Sequence, residues 1–356
     1  MVAVAALLLA AGDVFGQTHA PWPADWNDWS DPALWVTVGD PGNGADSTGR
    51  GAVGYTYSIS KFEVTTEQYC EFLNAVAAYG DPYGLYTTDM SVGQRSDACN
   101  IVRVQQGSGP YTYGYNIGTG GYEDRPVNFV SWGDAARYCN WLTNGQPTGA
   151  LTGNPSLDAG LTEDGSYDMN GARSSLELLG VTRRPAAQGG RYYLPTADEW
   201  YKAAYYGGSS GVYYDYPTGT DDPPSNDLLN PDSGNNANFY DNGYTWGTPY
   251  YRTEVGDFEL SGSPYGTFDQ GGNISEWTET LGSTWAFFAL GGSWGGSGLE
   301  FAGVQHLRAT EGYYATPDCQ NAVIGFRIVE VPEPASMALL ALAGLGLLAR
   351  RRRRFP

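Results

Sequence analysis

Basic side chains are scarce in this 356-residue sequence. It has two lysines, Lys61 and Lys202, and two histidines, His19 and His306, against 39 acidic residues and a formal net charge of −20. Nucleic-acid binding needs a basic stripe that neutralises phosphates, so this composition argues against a nucleic-acid partner. An iron site built from several histidines is excluded by the histidine count. A Ser/His/Asp triad would have to use His306, and no Gly-x-Ser-x-Gly turn between a predicted strand and a predicted helix supports it.

Cysteine is also rare. The four cysteines contain no Cys-x-x-Cys pair, so a zinc ribbon is not expected. Four cysteines in an exported protein can form two disulfides in three different ways, or they can remain buried thiols. Both alternatives are open at this point for the following residues: Cys70, Cys99, Cys139 and Cys319.

Glycine and aromatic residues, in contrast, are abundant. The chain has 50 glycines, 27 tyrosines and 11 tryptophans, and 41% of its residues are hydrophobic. This composition favours a loop-rich fold packed with aromatic residues over a helical bundle. Alternation in residues 55–65 predicts a strand. Residues 21–50 are interpreted as an irregular lead-in.

Three segments have the pattern of short capped helices. Each begins with Ser or Thr, has an acidic residue or Gln three positions later, and continues with apolar residues at helical spacing. The predicted cap pairs are Thr65 with Gln68, Ser131 with Asp134, and Thr196 with Glu199. Residues 143–190 are interpreted as a polar insertion with one short strand pair and a helical turn near Ser174 to Leu179.

The two ends of the chain have the pattern of targeting segments. Residues 1–20 resemble a secretory signal peptide, with an apolar stretch from Val2 to Ala11 but no basic residues before it. Near the C-terminus, residues 335–349 form an apolar stretch that would span about 22 Å as a helix, short of a hydrocarbon core of roughly 30 Å. The arginines that follow it should stay in the cytoplasm, which places the body of the protein across the membrane.

The C-terminal segment resembles the PEP-CTERM sorting signal of Gram-negative bacteria. The signal would occupy residues 331–356 and combines a Pro-Glu-Pro motif, a short transmembrane helix and an arginine cluster. The resemblance implies transient anchoring in the inner membrane, processing by an exosortase, and transfer to the cell surface or an exopolysaccharide matrix. The motif residues are Pro332, Glu333, Pro334, Arg350, Arg351, Arg352, Arg353 and Arg354.

Six further segments, taken in order, resemble the formylglycine-generating enzyme family, also called sulfatase-modifying factor domains. The resemblance covers residues 51–330 apart from the insertion at 143–190, and it implies a compact α+β fold related to C-type lectins. The segments are KFEVTTEQYCEFLN, RPVNFVSWGDAARYCNWL, RYYLPTADEWYKAA, GGNISEWTE, GGSWGG and IGFRIV.

The resemblance also implies where an active site would lie. Active members oxidise a target cysteine to formylglycine with copper, which two cysteines after the Gly-Gly-Ser-aromatic motif bind as soft thiolate ligands. In this chain those two positions are Gly296 and Phe301. Neither residue has a thiol, so we expect neither copper binding nor formylglycine chemistry.

Calcium and a disulfide are further implications of the resemblance. One calcium site would use the Asp269 and Glu276 side chains with the Gly272 and Ile274 carbonyls, and a second would begin at Asn238 and Phe239 with Asp241. The alternative is that these side chains cap turns. The family disulfide would join Cys139 to Cys319, because Ile328 stands where the family has its late cysteine.

These observations predict an exported, non-catalytic module that binds a ligand or has a structural role. Aromatic residues could stack on sugars of an extracellular polysaccharide, and the candidates are Trp277, Trp285 and Trp294, with a core role favoured for Trp277 and Trp294. The alternatives are a formylglycine-generating oxidoreductase or another enzyme that uses the same cleft, and an adhesion protein without a small ligand.

Overall fold

The computed structural model describes residues 27–115, 120–295 and 303–331. Several predictions fall outside these ranges: the signal peptide at 1–20, the positions Gly296 and Phe301, the sorting-signal residues from Pro332 onward and the helix at 335–349. Within the described residues no helix is long and apolar enough to cross a membrane.

The three predicted capped helices are confirmed. In each of them the Ser or Thr side chain accepts from the N3 backbone N–H, and the N3 side chain accepts from the cap N–H in return. A fourth box at Ser174 starts a one-turn helix inside the insertion, as predicted. The described helices are α1 (Thr66–Val76), α2 (Trp132–Thr143), α3 (Pro155–Asp158), α4 (Ser175–Leu178) and α5 (Ala197–Tyr205).

Short strands form three small sheets in the described chain. One sheet has the order β1-β2-β10-β5, a hairpin pairs β3 with β4, and the third sheet has the order β8-β7-β6-β9 with β6 and β9 parallel. The strands are β1 (Trp35–Val38), β2 (Tyr57–Ser60), β3 (Val102–Gln105), β4 (Tyr111–Gly114), β5 (Tyr192–Tyr193), β6 (Ser275–Ser283), β7 (Ala286–Leu290), β8 (Tyr313–Ala315), β9 (Ile324–Gly325) and β10 (Val329–Glu330). Helices and strands together give an α+β fold.

Two predictions about irregular regions need correction. The lead-in at 21–50 contains β1, because Val36 and Val38 bury their side chains and pair in register with Ile59 and Tyr57 of β2. In the insertion, the predicted strand pair is reduced to one isolated bridge between Tyr167 and Arg183. The insertion contains helix α3 and a π-helical turn, Ala159–Glu163, which were not predicted.

Aromatic side chains fill the main core. Tyr138 of α2 stacks on Tyr69 of α1 with a centroid distance of 6.1 Å, and Trp132 stacks on Phe287 of β7 at 4.5 Å. The second contact connects α2 to the sheet that carries the glycine-rich segment. Helix α5 packs beside β6 and β7 and supports the same sheet.

Candidate functional site

The glycine-rich segment after β7 is a tightly packed turn. Gly291 and Gly292 have φ values of 99° and 70°, in the left-handed region. A Cβ atom on Gly291 would lie 2.6 Å from the carbonyl oxygen of Gln270, and one on Gly292 would lie 3.0 Å from the carbonyl oxygen of His306. Both the backbone conformation and the close approach therefore require glycine.

The two residues after these glycines point their side chains into the protein. Trp294 is 2% exposed, and its ring packs 4.7 Å from the ring of Tyr251. The Ser293 hydroxyl and the Trp294 indole N–H are buried and have no hydrogen-bond partner in the part of the chain that the structure describes. Buried polar groups are rarely left unpaired, which marks this turn as a candidate site.

An open cleft of about 590 Å³ lies beside the turn. Gly291 and Gly292 form part of its lining, and the antiparallel pairing of β7 with β8 brings Tyr314 to the same place. The 3-10 helix Val304–Leu307 adds His306 to the lining. Further lining residues include Ser275, Trp285, Glu311, Thr316 and Cys319.

Of the three tryptophans considered for stacking on sugars, Trp285 is exposed in the cleft. Its side chain is 52% exposed in the hairpin between β6 and β7, and it meets the 42% exposed Tyr314 edge to face, with ring centroids 5.6 Å apart. Trp277, in contrast, is fully buried and donates its indole N–H to the Val130 carbonyl at 2.9 Å. Trp277 and Trp294 are thus core residues.

The carboxylate of Glu276 is occupied by protein partners. It accepts from Arg327 Nε at 2.5 Å and Arg327 Nη2 at 2.7 Å, and its Oε2 also accepts from the Trp200 indole at 2.6 Å. Both ion-pair partners are fully buried. A calcium ion bound by Glu276 would have to share this carboxylate with a guanidinium group.

Asp269 of the first predicted calcium site also has a protein partner, and the backbone at Gly272 and Ile274 is tightly packed. Asp269 accepts from the Gly256 N–H at 2.6 Å, and burial raises its pKa to about 6. Gly272 has a φ of 85° and lies so close to Asn238 that a Cβ would be 2.3 Å from the Asn238 carbonyl oxygen. Ile274 is buried just before β6. Gly272 and Ile274 were predicted to bind through their carbonyls, so calcium binding at this site stays a prediction.

The members of the second predicted calcium site differ in their partners. Asn238 Oδ1 is buried without a partner among the described residues, so it could act as a ligand. However, the Phe239 carbonyl already accepts from Asn226 and Thr245, and Asp241 is exposed at the surface. Among the described residues no group of three or more His, Cys, Asp and Glu side chains could hold a metal ion.

The predicted bridge between Cys139 and Cys319 is not formed in the structure, and all four cysteines have free thiols. Cys139 is fully buried on α2, and burial raises the pKa of its thiol well above the ordinary value. Cys319 is partly exposed and lines the cleft, after a turn that its N–H closes onto the Thr316 carbonyl. The alternative of free thiols therefore describes this structure.

A second buried charge cluster was not predicted. Arg183 lies between Glu199, at 3.2 Å, and Glu279, at 2.9 Å, while the Tyr55 and Tyr167 hydroxyls donate to the two carboxylates. Burial raises the pKa of Glu279 to about 7. No local motif could have indicated this cluster, because its members come from distant segments of the chain.

Comparison with known proteins gives the class of the domain. Residues 39–331 match the family of sulfatase-modifying factor enzyme 1-like domains, and residues 330–354 match the PEP-CTERM protein-sorting motif. The chain therefore belongs to the sulfatase-modifying factor family, and its sorting motif assigns it to export with exosortase processing in Gram-negative bacteria. No curated protein matches it.

Similar solved structures are distant in sequence. The crystal structure of CarF has 19% identity and a TM-score of 0.45, and the alignment covers 84% of this chain and 98% of that one. Treponema denticola variable protein 1 has 18% identity, a TM-score of 0.43 and coverages of 84% and 94%. PvdO from Pseudomonas aeruginosa has 17% identity and a TM-score of 0.40, and the alignment covers 84% of this chain and 91% of that one.

Proposed function

We propose that this exported protein is a non-catalytic binding module whose cleft holds sugar residues of an extracellular polysaccharide. Its site of action would be the cell surface or the exopolysaccharide matrix. The observation that supports this proposal is the exposed edge-to-face pair of Trp285 and Tyr314 on the cleft lining. Flat aromatic faces beside a concave surface suit the apolar faces of sugar rings.

The absence of thiols at Gly296 and Phe301 supports the non-catalytic part of the proposal. Soft Cu(I) prefers thiolate ligands, which these residues cannot supply. A formylglycine assay tests this part directly. We expect no mass change in a cysteine-containing sulfatase peptide incubated with the protein, copper and oxygen, while an active family enzyme converts the same peptide. Conversion to the aldehyde would favour the oxidoreductase alternative.

Substitution of Trp285 tests the binding part. The affinity of the full-length protein for a polysaccharide can be measured from its retardation in native gels that contain the polymer. We expect Trp285→Ala to lower this affinity about tenfold, because an aromatic anchor at a binding surface can contribute more than about 1 kcal/mol. Its thermal midpoint should stay close to that of the wild type.

Tyr79→Ala provides a matched control, since Tyr79 is a 74% exposed tyrosine that does not line the cleft. Equal retardation of wild type and Trp285→Ala would contradict sugar binding at the cleft. Lack of retardation of the wild type by any polysaccharide would instead favour an adhesion protein without a saccharide ligand.

A further inference from the structure

Loop 240–251 presents a second group of aromatic rings that the cleft does not include. Two of its side chains are well exposed, Tyr244 at 41% and Trp246 at 37%. Five of the twelve residues in the loop are aromatic: Tyr240, Tyr244, Trp246, Tyr250 and Tyr251. A set of exposed rings on one loop requires an explanation other than core packing.

The ring of Tyr244 is held in place by its neighbours. Its centroid lies 5.1 Å from Tyr240, 5.1 Å from Tyr251 and 5.9 Å from the buried Trp294. Tyr251 adopts a φ of 59°, a left-handed conformation that is unfavourable for an aromatic residue. Such strain is found where surrounding structure imposes a particular side-chain position.

Trp246 is fixed by a buried cation. The Arg125 guanidinium lies 5.1 Å from the Trp246 ring and 4.2 Å from the Tyr250 ring, and it donates to the Gly121 carbonyl at 2.6 Å. Arg125 itself is 2% exposed. The Trp246 ring is therefore supported from the protein side, while part of its surface faces solvent.

The backbone of the loop is also held. Asn226 Nδ2 donates to the carbonyls of Phe239 and Gly243, both at 3.1 Å, and the Tyr250 hydroxyl donates to the Gly120 carbonyl at 2.6 Å. A ligand that stacks on Tyr244 or Trp246 would thus lose little free energy in ordering the loop.

The segment that lines the cleft also supports this loop. Gly291 and Gly292 belong to the cleft lining, while Trp294 packs its ring against Tyr244 and Tyr251. The cleft and the loop are therefore parts of one continuous packed structure. An arrangement of this kind suits a ligand with many equivalent binding units, since separate surfaces then add their affinities.

We infer that loop 240–251 is a second saccharide-stacking surface and that its ligand is a neutral polysaccharide. The inference rests on the proposed function of the cleft. Partly exposed Tyr and Trp rings offer stacking faces together with hydroxyl and N–H groups, the combination that sugar rings require. The net charge of −20 and the exposed Asp241 in the loop disfavour polyanions, and the stacking residues Tyr244 and Trp246 carry no charge, which favours an uncharged glycan.

The test compares variants of the full-length protein in native gels that contain hydroxyethyl cellulose, a neutral polymer, or alginate, an anionic one. We expect the double variant Tyr244→Ala/Trp246→Ala to have an affinity for the neutral polymer, measured from gel retardation, about tenfold lower than that of the wild type. We also expect alginate to retard the wild type less than the neutral polymer does. Tyr79→Ala is the exposed control, and Trp246→Ala alone serves if the double variant unfolds.

The outcomes separate this inference from the proposed function. If Trp285→Ala loses binding and the loop variants do not, the second surface is refuted and the cleft remains. If the loop variants lose binding and Trp285→Ala does not, the loop surface stands without the cleft. Absence of wild-type binding to the neutral polymer, or stronger binding to alginate, overturns the inference.

Discussion

Arg327 balances the buried negative charge behind the glycine-rich turn. Its guanidinium pairs with both oxygens of Glu276 and donates to the Phe268 carbonyl at 2.8 Å. Two more buried carboxyl groups, Glu63 and Asp269, interact with the same cation. The pKa of Glu63 is raised well above its ordinary value, because it is fully buried and faces other acidic groups.

Removal of this cation should therefore be costly. We expect Arg327→Met to lower the free energy of unfolding by about 3–5 kcal/mol, because it leaves Glu276 buried without its partner. Urea denaturation measures the change. Arg308→Met is the matched control, since Arg308 is 48% exposed and its ion pair with Asp215 should contribute less than about 1 kcal/mol. Similar losses for both variants would contradict a central role for Arg327.

The same ion pair leads to a prediction about calcium. Since Glu276 is occupied by Arg327 and Trp200, we expect calcium to bind weakly or not at all at the first predicted site. A ligand that binds the folded state shifts the thermal midpoint by mass action. The midpoint in millimolar calcium should therefore match the midpoint in EGTA within about 1 °C. A clear rise with calcium would show that the folded state binds calcium, at this site or at another one, and would contradict the prediction.

At the level of elements, helices could be predicted from sequence better than strands. A capping box such as Thr65 with Gln68 is a local signal, so the start of α1 could be identified from four residues. Strand β10, in contrast, has two residues and lies between β2 and β5, which come from distant parts of the chain. Such a strand is defined by its partners and has no local signature.

The candidate site could also be predicted from sequence only in part. The family resemblance pointed to the segment at Gly291 and to three tryptophans, but exposure of Trp285 depends on a hairpin whose position only the tertiary fold determines. Tyr314 was missed because its contact with Trp285 depends on the pairing of β7 with β8. Pairing between distant segments leaves no pattern within either one.

The cap of α2 allows a test at this scale. Ser131 accepts from the Asp134 N–H, and Asp134 accepts in return from the Ser131 N–H at 2.9 Å, all in a buried position. We expect Ser131→Ala to lower stability by about 0.5–2 kcal/mol in urea denaturation. The control Ser174→Ala removes the same kind of cap from the four-residue helix α4, where the side chain is exposed and the loss should be smaller. Equal losses of stability for Ser131→Ala and Ser174→Ala would contradict the expectation that the buried cap contributes more than the exposed one.

The molecule as a whole buries acidic groups as well as aromatic ones. Burial raises the pKa of Asp124 to about 6, and it raises the pKa values of Asp257 and Glu279 to about 7. Each of these groups binds its proton more tightly in the folded state than in the unfolded state. Stability should therefore fall as the pH rises from about 4 to about 7, because the unfolded state binds fewer protons over this range.

Substitution of Glu279 tests this pH dependence, since Glu279 shares Arg183 with Glu199 and the cluster has one negative charge in excess when both glutamates are ionised. Glu279→Gln removes that excess while Arg183 keeps its partner Glu199. We expect the variant to lose less stability than the wild type between pH 4.5 and 7, with a difference on the order of 1–3 kcal/mol. Urea denaturation at several pH values measures it, and Asp222→Asn provides an exposed control. Parallel pH profiles for Glu279→Gln and the wild type would show that Glu279 does not take up a proton over this range, and that the fall in stability originates at the other buried carboxyl groups.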